Sequence, residues 1–218
     1  MIQKDYILRT MAELATVLTG ILGFQQAKQY QAALDLIDQV FKQTLGLSLD
    51  LINSVPDETL LAMLTSFDTL DIEKCLFVAS LLKAEGDIYV EQGNFDTSYY
   101  RYLKSLRLFL EVQLSDSNIH DPDLFAQIEG LLATLEEYEL PVEIKSRLFR
   151  YYERTGRYSQ AEDMLLELLE ADFYDHDMVE QGIAFYQRLL KKKDTDLAVG
   201  NLSREEVKEG LAQLQTMR

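Results

Sequence analysis

The chain has 218 residues, 47% of them hydrophobic and three of them proline, so it is long and apolar enough to fold around a core rather than stay disordered. A formal charge of −16 repels phosphate backbones and anionic lipid, which argues against a nucleic-acid partner and against a membrane partner. Cys75 is the single cysteine, charged residues interrupt every long apolar stretch, and the first residues lack the pattern of a secretory signal, so we expect a cytoplasmic protein.

Glycine and proline divide the chain into helical segments. Pro56, Pro122 and Pro141 each precede a run whose apolar residues recur at three and four positions, and proline is well tolerated in the first turn of a helix. Gly93 and Gly156 fall where such runs end. No segment alternates apolar and polar residues, and no Asn-Gly or Asp-Gly turn is present, so we expect an all-α fold with no sheet. The predicted helices, about nine or ten, span 3–22, 27–45, 56–66, 70–92, 94–114, 122–139, 141–155, 157–171, 176–192 and 203–217.

A pattern of residue types recurs three times along these helices. An aromatic residue near the end of one helix is followed by a turn, by a second aromatic six positions later, and by a small residue three positions beyond that. This order suits an antiparallel helix pair, because the small residue lets the two backbones approach closely after a tight turn. The recurrences begin at Phe24, Tyr89 and Tyr152, and their turn positions are Lys28, Gly93 and Gly156.

The recurring pattern resembles the tetratricopeptide repeat (TPR). The middle recurrence matches that repeat at Gly86, Tyr89, Gly93, Phe95 and Ser98, and the last matches it at Leu148, Tyr152, Gly156, Tyr158 and Ala161. In the first recurrence Lys28 stands at the turn position where the repeat has glycine. The recurrences lie roughly 64 residues apart, nearly twice the period of about 34 in the simple repeat, so extra helices must separate them.

The resemblance implies a right-handed stack of antiparallel helix hairpins. We expect a single TPR-like domain over 1–218, with degenerate units near 14–45, 79–110 and 142–171, extra helices between them and a last helix at 203–217. The opening residues and Gly20–Gly23 also resemble an uncharacterised bacterial family of small TPR-like proteins. The TPR resemblance implies a non-enzymatic protein-interaction or scaffold module. The sequence has no Gly-x-Gly-x-x-Gly, Walker or Gly-x-Ser-x-Gly motif, and we expect no catalytic residue, cofactor or metal.

Four basic residues form the candidate partner-binding site. Arg147, Arg150 and Arg154 recur at three and four positions and therefore share one face of a helix. The resemblance places Lys83 on the analogous face of the middle unit, and that face lines the binding groove of TPR proteins. Because guanidinium groups bind carboxylates through paired hydrogen bonds, we predict an acidic protein or peptide, of unknown identity, as the partner. The alternative is that the arginines serve solubility by pairing with nearby acids, among them Glu143 and Glu153.

Two other hypotheses come from the remaining motifs. His120 and His176 are each flanked by aspartate, and together they would offer a divalent metal imidazole and carboxylate ligands, as in a metal-dependent or small-ligand enzyme. Helix 3–22 has an apolar seam with 4-3-4-3 spacing, formed by Ile7, Met11, Leu14, Leu18 and Ile21. This seam is the basis of the other hypothesis, a structural homo-oligomer such as a homodimer. Cys75 lies on an apolar helix face, where we expect a buried structural thiol.

Overall fold

Helix pairs joined by short turns make up most of the structure. In a computed structural model of the chain, the described residues are 2–115, 122–170 and 176–216, with side chains described from residue 13 onward. Within these ranges the chain is mostly helical, as expected, with twelve helices where about nine or ten are predicted. The helices are α1 (Ile2–Gln26), α2 (Tyr30–Leu45), α3 (Leu49–Ser54), α4 (Asp57–Met63), α5 (Ile72–Glu91), α6 (Phe95–Leu114), α7 (Pro122–Thr134), α8 (Val142–Arg154), α9 (Tyr158–Glu170), α10 (His176–Leu189), α11 (Asp194–Val199) and α12 (Arg204–Thr216).

The prediction of no sheet is wrong at one small hairpin. Strands β1 (Thr65–Ser66) and β2 (Thr69–Leu70) pair in an antiparallel arrangement. The two residues between them, Phe67 and Asp68, have φ of 50° and 58°, as a type I′ turn requires of both its central positions. Strands of two residues are too short to show alternation, and Phe-Asp is not a dipeptide that favours positive φ. The sequence therefore carried no signal for this hairpin.

Helices α3 and α11, which have no predicted counterpart, are each six residues long and too short to show a helical spacing. Side-chain caps mark helix starts more clearly. Ser48 Oγ accepts a hydrogen bond from the Leu51 N–H at 3.2 Å at the start of α3. Before α12 the Ser203 N–H donates to Glu206 Oε2 at 2.7 Å, and the Glu206 N–H donates to Ser203 Oγ at 3.2 Å. These bonds satisfy N–H groups that have no partner within the helix.

The chain forms two compact units, Met1–Glu139 and Leu140–Arg218. In the first unit α5 packs along α6, α1 and α2 pack on α5, and α7 packs on α6. In the second unit α8 packs on α9, and α10 packs on both α9 and α12. Each unit buries aromatic rings of its own, such as Phe109 in the first and Tyr186 in the second. The expectation of a single domain over the whole chain stays a prediction.

The three helix pairs that carry the recurring pattern end their first helices in the same way. At Lys28, Gly93 and Gly156 the backbone is left-handed, with φ of 55°, 74° and 78°. The next residue donates its N–H to the carbonyl of the first aromatic of the pattern at 2.8–2.9 Å, and the left-handed residue donates to the carbonyl three residues back. These are the two hydrogen bonds of a Schellman motif. The pairs α1–α2, α5–α6 and α8–α9 thus share one turn geometry, although lysine holds the first turn.

Small residues allow close packing inside these pairs. Ala33, Ser98 and Ala161, the small residues of the pattern, are all buried. In the α5–α6 pair, a Cβ atom placed on Gly86 would lie 2.5 Å from Cε1 of Tyr102. The Tyr102 ring therefore packs directly on the α5 backbone, which only glycine permits at that position.

Candidate functional site

Helix α8 carries the three arginines that are predicted to bind a partner. Arg150 and Arg154 are exposed, one helical turn apart. Arg147 is partly buried, and its Nη1 donates to the main-chain oxygen of Glu143 at 2.9 Å. The face that α8 turns to solvent therefore presents guanidinium groups at Arg150 and Arg154, which we name the α8 arginine face.

The acid Glu153, considered above as a partner of these arginines, also binds another helix. Its two carboxylate oxygens accept hydrogen bonds from Nε and Nη2 of Arg188 in α10, at 2.7 and 2.8 Å. This paired hydrogen bonding raises the pKa of Arg188 above its ordinary value. Whether the arginines of α8 serve a partner or only solubility stays a matter of prediction.

Lys83 lies in the unit Met1–Glu139, whereas the arginines of α8 lie in Leu140–Arg218. Its Nζ forms an ion pair with Asp87 Oδ2 at 3.1 Å, one turn further along α5. The other oxygen of Asp87 accepts a hydrogen bond from the Tyr102 hydroxyl at 2.8 Å, and burial together with this bond raises the pKa of Tyr102. The charge of Lys83 is therefore already balanced within its own helix pair.

The candidate metal ligands do not form a described site. His120 lies outside the described residues, and His176 is the exposed first residue of α10. Within the described ranges, no group of three or more His, Cys, Asp or Glu side chains is arranged to hold a metal ion. Cys75 is buried, as expected, with its Sγ 3.5 Å from the Leu108 carbonyl oxygen, and burial raises the pKa of its thiol.

The apolar seam of α1 is only partly described, because the side chains of residues 2–12 lie outside the description. Of the described seam residues, Leu14 and Ile21 are buried, and Leu18 is partly buried. Leu22, beside the seam, is 55% exposed. The chain itself thus covers the described end of the seam, and a homo-oligomer through α1 stays a prediction.

A second row of basic residues, which has no predicted role, lies on α6. Arg101, Lys104 and Arg107 recur every three residues, and their side chains are 16%, 10% and 6% exposed. Lysine and arginine are seldom buried unless they are paired. The spacing was visible in the sequence, like that of the arginines on α8, but nothing in the sequence indicated that this face is buried.

Two of these cations hold the start of α4 and the end of α3 in place. Lys104 Nζ donates to main-chain oxygens at the end of α3, including that of Val55 at 2.8 Å, and lies 3.5 Å from Asp57 Oδ1. A cation at this position offsets the partial negative charge of the helix end. Arg107 forms ion pairs with Asp57, at 3.4 Å, and with the neighbouring Glu58. Burial lowers the pKa of Lys104, and Asp57 opposes that effect.

Arg101 pairs with a carboxylate inside the helix pair. Glu85 of α5 is fully buried, its Oε1 lies 3.0 Å from Arg101 Nε, and the same oxygen accepts a hydrogen bond from Asn53 Nδ2 at 2.8 Å. Burial raises the pKa of Glu85, and Arg101 opposes that effect. Neither terminal nitrogen of Arg101, Nη1 or Nη2, has a hydrogen-bond acceptor among the described residues.

Arg101 borders a cleft between α6 and the segment that joins α3 to α4, here named the α6 cleft. Its volume is about 450 Å³, which lies within the range of roughly 300–1,000 Å³ typical of small-ligand pockets. The hydroxyl groups of Thr97 and Tyr100 have no hydrogen-bond partner among the described residues. The lining residues are Asn53, Asp57, Thr97, Tyr100, Arg101, Leu103 and Lys104.

These features define a helical protein with two charged surfaces, the α8 arginine face and the α6 cleft. In the described part of the chain, no helix combines the length and the apolar character needed to cross a membrane. The chain belongs to the family described as "Family of unknown function (DUF6483)", which it matches over residues 1–218. No curated protein and no solved structure matches the chain. Membership of an uncharacterised family is thus confirmed, and the relation to TPR proteins stays a prediction.

Proposed function

We propose that this protein is a non-enzymatic protein-interaction module, built from TPR-like helix pairs, which binds an acidic segment of a partner protein through the α8 arginine face. The exposed arginines Arg150 and Arg154 carry the proposal. Two guanidinium groups one turn apart match two carboxylates on an extended or helical acidic segment. The chain has a formal charge of −16 and therefore repels an acidic segment over most of its surface. Such a segment is attracted mainly to clusters of basic residues.

The shared turn geometry supports the TPR-like part of the proposal. Three helix pairs end their first helices with the same Schellman motif, at Lys28, Gly93 and Gly156. The small residue of the pattern is buried in each pair. A TPR-like pair needs both features, because the tight turn reverses the chain and the small residue brings its helices together.

We expect Lys83 to contribute less to partner binding than the arginines of α8. Its ion pair with Asp87 lowers the gain that a partner carboxylate would obtain from it. We assign the partner contact to Arg150 and Arg154 because both are exposed on the same face of α8, with Arg147 at the edge of that face.

The test is affinity capture from the cell of origin with the full chain and two charge-reversed variants. Arg150→Glu with Arg154→Glu reverses the α8 arginine face, and Lys191→Glu with Lys192→Glu makes the same charge change at exposed lysines elsewhere in the unit. We expect a partner that the wild type and the lysine variant recover and the arginine variant loses. Recovery of the same proteins by all three chains would refute the proposal.

A further inference from the structure

The α6 cleft contains a guanidinium group whose hydrogen-bonding capacity is only partly used. Arg101 places Nε against the buried Glu85, while Nη1 and Nη2 have no acceptor among the described residues. Arginine offers five N–H donors in a fixed plane, four of them on those two nitrogens. Among the three nitrogens of Arg101, only Nε is a buried atom without a geometrically satisfied hydrogen bond, so Nη1 and Nη2 are the donors that a ligand in the cleft can reach.

The charges around the cleft select the kind of anion. Lys104 already donates hydrogen bonds to main-chain oxygens at the end of α3 and forms an ion pair with Asp57. Arg107 also forms an ion pair with Asp57. Asp57 in the wall and Glu85 behind Arg101 would repel a dianion such as phosphate. A carboxylate brings a single negative charge and two coplanar oxygens, which match the two terminal nitrogens of one guanidinium group.

The remaining wall adds donors and an apolar surface. The free hydroxyls of Thr97 and Tyr100 lie on the same side of the cleft as Arg101, at most four residues from it along α6. The Tyr100 ring and the Leu103 side chain supply apolar area beside them. A bound carboxylate would therefore carry a small apolar group, and the cleft volume of about 450 Å³ accommodates one.

We propose that the α6 cleft is a binding site for a monoanionic carboxylate, held by the terminal nitrogens of Arg101 and by the hydroxyls of Thr97 and Tyr100. The carboxylate comes either from a free organic acid or from an acidic side chain of a polypeptide. The site lies within Met1–Glu139 and does not depend on the α8 arginine face, so either proposal stands or fails without the other.

The experiment is an NMR titration of the labelled full chain with two probes. Sodium benzoate represents a free acid, and acetyl-Gly-Glu-Gly-amide represents a side-chain carboxylate, with its glutamine counterpart as the uncharged control. We expect saturable shifts of backbone signals in 97–104 with at least one carboxylate probe, and no saturation with the glutamine peptide. Benzoate binding alone identifies a free acid as the ligand class, and peptide binding identifies a polypeptide. Inorganic phosphate at equal concentration should not compete.

Variants separate ligand binding from the structural ion pair. Glu85→Gln with Arg101→Gln removes the guanidinium without leaving a buried carboxylate unpaired, and we expect affinity to fall at least tenfold. Glu85→Gln alone leaves Arg101 in place and should bind at least as tightly as wild type. Thr97→Phe fills the cleft without touching the ion pair and should also cost tenfold or more, which keeps the test valid if the double variant does not fold. Saturation by neither carboxylate probe, or unchanged affinity in Thr97→Phe, would overturn the proposal.

Discussion

Lys28 holds a backbone conformation that glycine holds in the two equivalent turns. Its φ is 55°, against 74° at Gly93 and 78° at Gly156, and the same pair of hydrogen bonds closes all three turns. A left-handed conformation brings Cβ of an L-residue too close to the following carbonyl oxygen, whereas glycine has no Cβ. We therefore predict that Lys28→Gly stabilises the protein.

The size of the effect follows from two opposing contributions. The left-handed conformation costs an L-residue roughly 1–2 kcal/mol, and this cost disappears in the variant. Glycine loses more backbone freedom on folding than lysine does, and this reduces the gain in stability by roughly 0.5–1 kcal/mol. The free energy of unfolding should rise by about 0.5–1 kcal/mol, because the turn and its hydrogen bonds are otherwise unchanged.

Urea unfolding followed by circular dichroism measures this change as a higher midpoint with an unchanged slope. Lys28→Ala is the matched control, since it removes the side chain but keeps Cβ, and its midpoint should stay near that of the wild type. Gly93→Ala and Gly156→Ala should each lower the stability by about 0.5–1 kcal/mol, because the same two contributions act in the opposite direction. If Lys28→Gly and Lys28→Ala had the same midpoint, the argument from turn geometry would be wrong.

Three further predictions concern individual contacts. Gly86→Ala should lower stability by about 1–3 kcal/mol in thermal unfolding, because the new methyl group meets the Tyr102 ring, whereas Gly130→Ala, with nothing within 4 Å of its Cβ, should stabilise α7. The stability of Glu85→Gln relative to wild type should be highest at pH 7 and should fall toward pH 4. The pKa of Glu85 is raised in the folded state, so the wild type gains stability as this acid protonates, whereas the glutamine variant does not. A relative stability that rose as the pH fell would contradict this. Glu206→Ala should destabilise the protein at pH 7, and this effect should shrink as the pH falls. The capping bonds lower the pKa of Glu206, so their contribution is lost when the pH falls through that lowered pKa. An effect that did not shrink in acid would disprove it.

The helix pairs could be predicted closely because their ends carry chemical signals. The helices predicted at 70–92 and 94–114 correspond to α5, Ile72–Glu91, and α6, Phe95–Leu114. Gly93 marked the turn between them, and Asn94 supplies a side-chain cap to the Thr97 N–H. Wherever glycine, proline or a capping residue stood at a boundary, local chemistry and tertiary packing favoured the same structure.

Other features depend on contacts that no local pattern shows. Lysine does not favour the left-handed region, so the turn at Lys28 is imposed by the packing of α1 on α2 rather than by its own preference. From the sequence alone, charged residues such as Glu85 and Arg101 are expected on the surface of a helix. Helices α5 and α6 bury almost every face, however, and the two side chains form an ion pair in the interior. The α6 cleft also needs the short helix α3, which is too short to leave a periodic signal. The arginines of α8, in contrast, were evident from their spacing alone.

The most direct test of the proposed function is photo-crosslinking in the cell of origin, with a benzophenone amino acid placed at position 143. Glu143 is exposed, and it lies two helical turns before Arg150 on the same face of α8, so the label leaves both arginines in place. The matched control carries the same amino acid at Gln187, an exposed residue of α10 in the same unit. We predict a defined covalent adduct at position 143, with the crosslink mapping to an acidic segment of one protein, and no such adduct at position 187. Indistinguishable adducts at the two positions, or none at position 143, would contradict a partner-binding role for the α8 arginine face.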